Sequence, residues 1–163
     1  MEVASDAYCV FTDRLENKSV ANSSYVSNLV GSPSGNRNGE NHDMPNKLKC
    51  IYLNARSVVN KISELELCIE NDKPDILGIT ETWLHSDIAD SELKFDGYAL
   101  IRRDRDNADK TRGGGVLFYI NEELSPIEMA EYKCDKIETL FCSINCNGDK
   151  SLIGIVYTRY FRK

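Results

Sequence analysis

Two of the most apolar segments of this chain are each followed directly by a polar residue. Asn54 follows the run "LKCIYL" (48–53), and Glu81 follows "DILGIT" (75–80). A carboxylate at the end of a buried segment is costly unless it is paired, hydrogen-bonded or bound to a metal. Amide and carboxylate oxygens are also the ligands of a hard cation such as Mg²⁺, which keeps several of its waters. The pattern therefore indicates either metal-assisted chemistry or a structural role for these two residues.

The elements that position the two residues follow from the pattern between them. Ser57 is a candidate N-cap, and Pro74 stops a helix because the residue before a proline is pushed out of helical geometry. Four apolar residues at spacings of four, three and four define one helical face: Val58, Ile62, Leu65 and Ile69. We therefore predict a strand, a helix and a strand over 48–81, which is the length of a βαβ unit.

A βαβ unit makes its two strands parallel, so their carboxyl ends meet at the same edge of the sheet. Open α/β sheets bind ligands just outside that edge. On this reasoning Asn54 and Glu81 converge. The alternative is that Asn54 caps or turns the chain and that Glu81 pairs with Arg56. Spacing alone favours this alternative, because strand ends commonly carry polar residues.

Downstream of the βαβ unit the signals are those of strands. The turn sequence "NGDK" (147–150) predicts a hairpin between the last two of them. The fold class is accordingly α/β, with α+β character: a βαβ start followed by antiparallel strands in a mixed sheet. The strand candidates are "YALIRR" (98–103), "GVLFYI" (115–120), "IETLFCSINC" (137–146) and "SLIGIVY" (151–157).

The amino-terminal part differs in composition from the rest. Between 19 and 46 more than half of the residues are Ser, Asn or Gly, as in "SPSGNRNGENHD". Such a segment buries too little apolar surface to offset its ordering entropy. We predict a flexible low-complexity tail over 1–46, with weak order near "AYCVF", and one folded domain over 47–163.

Composition narrows the class of partner and the compartment. The formal charge is −6, with 26 acidic and 20 basic residues, so nucleic-acid binding would need a local basic patch. The sequence has no apolar run of transmembrane length and no signal peptide at its start. We read its six cysteines as reduced thiols. These features predict an intracellular protein, nuclear or cytoplasmic, that is not secreted and does not act on a membrane.

Three motifs, "LNARS", "TETWL" and "RGGGV", occur in this order. With them, the region 47–157 resembles the endonuclease domain of non-LTR (LINE-type, jockey/CR1-like) retrotransposons, within the endonuclease/exonuclease/phosphatase superfamily. The resemblance implies a four-layer sandwich, in which two sheets pack face to face between helices. It implies a Mg²⁺- or Mn²⁺-dependent enzyme that nicks DNA for target-primed reverse transcription.

The resemblance also assigns roles to individual residues. It implies that Asn54 is the active-site asparagine and a metal ligand, and that Glu81 is the metal-binding glutamate. It implies that Tyr157, at the end of "GIVY", lies near the scissile phosphate. DNA is the implied partner, and Mg²⁺ or Mn²⁺ the implied cofactor.

The segment "RRDRDNADKTRGGG" (102–115) combines basic residues with glycines. Its candidate DNA contacts are Arg102, Arg103, Arg105 and Arg112, and the alternative is a solvated loop with internal ion pairs. The glycines do not form a phosphate loop, because no Gly-Lys-Ser/Thr follows, and backbone freedom at a strand entry explains them better. His85 is predicted to be a surface loop residue.

The family's "GDFN"-like and "SDH"-like motifs do not occur in the sequence. We therefore expect the amino-terminal half of such a domain, catalytically incomplete, consisting mainly of the first sheet. The inner face of that sheet is then expected to be uncovered and to recruit a protein partner. One alternative function is a non-enzymatic remnant or interaction module. A weaker one is another branch of the superfamily, a phosphatase or phosphodiesterase such as a sphingomyelinase.

Overall fold

A computed structural model describes residues 48–105, 113–134 and 136–158 together with their side chains. It also describes the backbone of three strands nearer the amino terminus and of Arg159. Statements about absence below refer to these residues.

Ten strands and one α-helix occur in this part of the chain. In chain order they are β1 (Ser5–Asp13), β2 (Asn17–Ala21), β3 (Tyr25–Ser27), β4 (Lys49–Asn54), α1 (Ile62–Asp72), β5 (Ile76–Thr80), β6 (Tyr98–Arg103), β7 (Val116–Asn121), β8 (Ile127–Glu128), β9 (Glu138–Cys146) and β10 (Asp149–Arg159). The four strands predicted from 98 onward correspond to β6, β7, β9 and β10.

The strands form two five-stranded sheets. The first sheet has the order β3-β4-β5-β7-β6, and the second has the order β2-β1-β10-β9-β8. β4 and β5 are parallel, as the predicted βαβ unit requires, and the other pairs are antiparallel. The prediction of a mixed α/β architecture with α+β character is confirmed.

Helix α1 covers one face of the first sheet. Leu77 and Ile79 of β5 point to the helix, whose Leu65 and Ile69 are buried against the sheet as the four-three-four spacing predicts. Successive strand residues face opposite sides, so the intervening β5 residues face the second sheet. The helix layer therefore covers only half of the apolar surface of β5.

The second sheet covers the other half, and this corrects the expectation of an uncovered inner face. Inward residues of β9 and β10 recur with period two and pack against β5 and β7. A Cβ atom on Gly78 would lie 3.1 Å from Ile155 Cδ1, so glycine lets the two sheets approach closely at this point. The inter-sheet core contains Ile76, Val116, Phe118, Ile120, Leu124, Leu140, Cys142, Ile144, Ile153, Ile155 and Tyr157. The prediction was wrong because it assigned β9 and β10 to the first sheet.

The start of the helix also differs from the prediction. Ser57 does not cap it: α1 follows a 3₁₀ turn at Val59–Lys61, and no side chain caps either element. Instead the Ser57 amide donates to the Glu81 carbonyl oxygen at 3.0 Å, so the chain still pairs beside β5 at this point. The helix ends at Asp72, and its C-cap residue Lys73 has a left-handed conformation just before Pro74. No helix in the described ranges has the length and apolar character needed to cross a bilayer.

Three of the strands lie within the segment predicted to be a flexible tail. β1 contains the "AYCVF" sequence and runs antiparallel to β10, β2 pairs with β1, and β3 pairs with β4. In the described backbone these stretches are therefore strands of both sheets. The other positions of 1–46 lie outside the described residues, and for them the tail remains a prediction.

A two-residue turn joins β9 to β10. Asn147 and Gly148 both have positive φ angles, +55° and +89°, as the tight hairpin turn predicted from "NGDK" requires. The hairpin holds Glu138 and Tyr157 side by side as Cα partners at its open end.

Candidate functional site

The carboxyl ends of β4 and β5 lie at one edge of the first sheet. Asn54 and Thr80 are Cα partners, and Glu81 follows directly. Pairing continues past the end of β4, because the Ala55 amide donates to the Thr80 carbonyl oxygen at 2.9 Å. The structure therefore brings Asn54 and Glu81 to neighbouring positions.

Asn54 lies on the side of the sheet that faces the second sheet. Cys50 and Tyr52 pack into the inter-sheet core, and Asn54 follows them with the strand period of two. The hydroxyls of Tyr52 and Thr80 are 2.7 Å apart, which ties the two strand ends together on that side. The Asn54 residue itself is exposed, so a ligand from solvent can reach it.

Glu81 has a left-handed backbone, with φ +53°. Because Leu77 and Ile79 face the helix, regular alternation would direct the next odd-numbered side chain toward the helix as well. The left-handed conformation breaks the alternation, and the carboxylate reaches Tyr157 in the inter-sheet core instead. Non-glycine residues in this region are strained, and such strain is concentrated at functional sites.

Three donors from three separate segments surround the Glu81 carboxylate. Oε2 accepts from Trp83 Nε1 at 2.6 Å and from the Gly114 amide at 3.1 Å, and Oε1 accepts from the Tyr157 hydroxyl. Only 5% of Glu81 is exposed. Hydrogen bonding thus compensates the carboxylate for its burial. The alternative pairing of Glu81 with Arg56 stays open.

One glycine of "RGGGV", Gly114, donates to this carboxylate. Gly113, Gly114 and Gly115 all have positive φ angles, which agrees with the backbone freedom predicted for them. The Gly114 carbonyl oxygen accepts from the Trp83 amide at 3.0 Å, so the glycine loop pairs with the segment that carries Glu81. A Cβ atom on Gly115 would collide with Thr82 Oγ1. The role of the Gly114 amide as a donor to Glu81 was not predicted.

Glu138 is a second carboxylate at this loop, and sequence reasoning missed it. Its Oε2 accepts from the Gly115 amide at 2.7 Å, and its Oε1 pairs with Arg105 Nε. The pattern that identified Glu81 also applies here: Glu138 begins the face of β9 that continues with Leu140 and Cys142, so it is a carboxylate at the end of an apolar face.

Arg102 and Arg103 already have protein acceptors. Arg102 contacts Asp90 and Asp104 at 3.2 and 3.4 Å, and Arg103 donates to the carbonyl oxygen of Cys134 at 2.9 Å. Together with the Arg105–Glu138 pair, these contacts agree with the internal ion pairs of the alternative interpretation. DNA binding by the three arginines remains a prediction. Arg112, the fourth candidate, lies outside the described residues.

His85 is exposed, as predicted for a surface loop residue, and lies 3.6 Å from the Asp87 carboxylate. It has no contact with the edge where Asn54 and Glu81 meet among the contacts that the structure describes.

The oxygen atoms of Asn54 and Glu81 are of the kind that coordinates a hard cation. The described residues contain no cluster of three or more His, Cys, Asp or Glu side chains. However, Mg²⁺ is commonly held through one or two carboxylates and its own waters. Asn54 and Glu81 would hold such an ion, and the Glu81 oxygens would then be shared between the ion and their present donors.

The comparisons with known proteins add no assignment to this geometry. No family model matches the chain, and no curated protein matches it significantly.

Proposed function

We propose that this chain carries the Asn54–Glu81–Tyr157 part of a Mg²⁺- or Mn²⁺-dependent DNA endonuclease site of the retrotransposon type. The fold would be the endonuclease/exonuclease/phosphatase sandwich. Two packed sheets with a helix outside the first correspond to three of its four layers, which supports the proposal. A nuclear or cytoplasmic location belongs to the same proposal.

The observation that carries the proposal is the hydrogen bond from Tyr157 to Glu81. The two residues are 76 positions apart in the sequence, and the motif resemblance selects both for one site. Their contact lies beside the end of β4, where the third selected residue, Asn54, is found. A chance resemblance in three motifs would not require this convergence.

Each residue would have a distinct task. A bound metal ion would polarise a phosphodiester and supply an activated water. Asn54 and Glu81 would hold the ion, while Tyr157, oriented by Glu81, would contact the scissile phosphate. The donors Trp83 and Gly114 keep the carboxylate in one orientation. The sequence contains neither the "GDFN"-like nor the "SDH"-like motif of the family. We therefore expect the 163-residue chain alone to be inactive.

A non-enzymatic role is the second candidate. The observation that favours it is the same carboxylate: at 5% exposure and with three donors, Glu81 ties three segments together as a structural node would. The second sheet covers the inner face of the first, so that face needs no protein partner to cover it. The two candidates differ in whether an ion reaches Glu81.

Mn²⁺ titration followed by NMR distinguishes the two candidates. Trp83 is the only tryptophan, so a ¹⁵N-labelled sample has one indole N–H resonance, and this group donates to Glu81. Paramagnetic Mn²⁺ bound at Asn54 and Glu81 should broaden that resonance at concentrations that leave most amides sharp. Excess Mg²⁺ should reverse the broadening by competition.

Asn54→Ala should weaken the broadening, and the exposed Asn71 on α1 provides a matched Asn71→Ala control that should not. Broadening that is absent, or unchanged in Asn54→Ala, would contradict the metal site and favour the structural node. A plasmid-nicking assay with Mg²⁺, with and without EDTA, tests whether the catalytic site is complete. EDTA-sensitive relaxation would show that these residues suffice for catalysis.

A further inference from the structure

We propose that Glu138, together with Arg105, is a positioning residue for Glu81 and acts through the glycine loop. The proposal rests on the proposed function only in calling Glu81 a metal ligand. Neither Glu138 nor Arg105 would touch the ion or the phosphate.

The contacts form a continuous path between the two carboxylates. Successive amides of one loop donate to different acids: Gly114 to Glu81 at 3.1 Å and Gly115 to Glu138 at 2.7 Å. Both amides belong to glycines with positive φ, a conformation that other residues adopt only with strain, and the two amides are adjacent in the chain. A displacement of Glu138 therefore moves the donor that Glu81 uses.

Arg105 contacts both Glu138 and the glycine loop. Its Nε pairs with Glu138 Oε1, and its guanidinium lies against Gly114 so closely that a Cβ atom there would overlap it. The side chains of Arg105 and Glu138 are 23% and 15% exposed, so water screens their attraction only in part. The arginine also neutralises a second carboxylate that would otherwise repel Glu81.

The β9–β10 hairpin links the position of Glu138 to that of Tyr157, which also contacts Glu81. Glu138 on β9 and Tyr157 on β10 are Cα partners. Tyr157 reaches Glu81 directly, and Glu138 reaches it through Gly115 and Gly114. The second sheet thus sets the position of a carboxylate that belongs to the first sheet.

Glu138→Gln tests the proposal through two NMR readouts that need no nuclease activity. The first is the Trp83 indole N–H resonance, which should move toward its position in Glu81→Gln. The second is exchange of the Gly114 amide, which should become about tenfold faster, equivalent to about 1.4 kcal/mol of local opening free energy. Glu66→Gln, at an exposed position on α1, is the matched control and should change neither readout.

Arg105→Gln distinguishes a displacement of the glycine loop from a change in the electric field at the Trp83 indole. It changes the local charge by the opposite sign from Glu138→Gln, so a field effect moves the indole resonance in opposite directions in the two variants. A loosened loop moves the resonance in the same direction in both. If Glu138→Gln did not fold, Arg105→Gln would break the same pair and, compared with Glu81→Gln, carry the test.

Movement of the indole resonance in the same direction in both variants, with faster Gly114 exchange, supports a positioning role. Opposite movements, or a change confined to the Gly115 amide, would overturn it. The result stands apart from the proposed function: Mn²⁺ broadening can fail while the indole resonance still responds to Glu138, and the reverse can also occur.

Discussion

The Glu81 network and the Arg102–Asp104 cluster both hold charge that is largely removed from water, and they differ in how completely that charge is hydrogen-bonded. Glu81 accepts from Trp83, Gly114 and Tyr157, which come from three separate segments. Arg102 and Asp104 are two positions apart and pair at 3.4 Å. In the described part of the chain, Arg102 Nη1 and Asp104 Oδ1 are nevertheless buried without a hydrogen-bond partner.

Two charged residues that are close in the sequence therefore do not necessarily satisfy each other's hydrogen-bonding groups. Glu81 accepts from the Gly114 amide and the Tyr157 hydroxyl. Tyr157 lies on β10, which pairs with β9, and Gly114 lies in a loop that pairs with Trp83. For Asp104, burial raises the pKa of the carboxyl above its ordinary value of 3.8, and the charge of Arg102 offsets only part of that rise. The tertiary fold brings the donors of Glu81 together, whereas Asp104 pairs with a residue two positions away, which also contacts Asp90.

Removal of the Glu81 carboxylate should cause the largest loss of stability. Glu81→Ala leaves three donors without their acceptor, and we expect a loss of about 3 kcal/mol in the free energy of unfolding. Asp104→Ala should lose less than about 1 kcal/mol, because its charge is poorly compensated in the folded state. Denaturant unfolding followed by far-UV circular dichroism measures both. Equal losses would show that the two clusters are energetically alike.

Removal of a single donor gives a smaller effect. Tyr157→Phe deletes the hydroxyl that bonds to a carboxylate, and we expect a loss of about 2 kcal/mol. Tyr119 is the matched control: it is buried in the helix-facing core, and its hydroxyl donates to the neutral Leu93 carbonyl oxygen at 2.8 Å. Tyr119→Phe should lose about 1 kcal/mol. A larger loss at Tyr119 than at Tyr157 would contradict a special role for the Glu81 bond.

The smallest effect concerns pH. Because the pKa of Asp104 is raised in the folded protein, the folded state binds more protons than the unfolded state just above pH 3.8. Stability therefore falls as pH rises through this window. Asp104→Asn should remove that fall and raise the unfolding free energy at pH 7 by less than about 0.5 kcal/mol, since water screens a partly exposed group. Unfolding curves between pH 4 and pH 7 test this, and a steeper fall in the variant would refute the assignment.

Sequence patterns predicted the strand and helix content well where the signal was local. The predicted strand "YALIRR" coincides with β6, and the face defined by Leu65 and Ile69 is the buried face of α1. The parallel pairing that brings Asn54 beside Thr80 also followed from the length of the βαβ unit. The predictions failed where a residue's environment depends on distant segments, as for the sheet to which β9 and β10 belong and for the acceptor role of Glu138.

The period of the elements and their approximate positions follow from the sequence alone, because hydrophobic alternation and turn residues act over a few positions. From them, the meeting of Asn54 and Glu81 at one sheet edge could be derived. The turn of Glu81 toward the second sheet is visible only in the folded chain, where its backbone is left-handed and its carboxylate accepts from the Gly114 amide and the Tyr157 hydroxyl. No local pattern encodes these contacts, since each joins segments more than 30 residues apart.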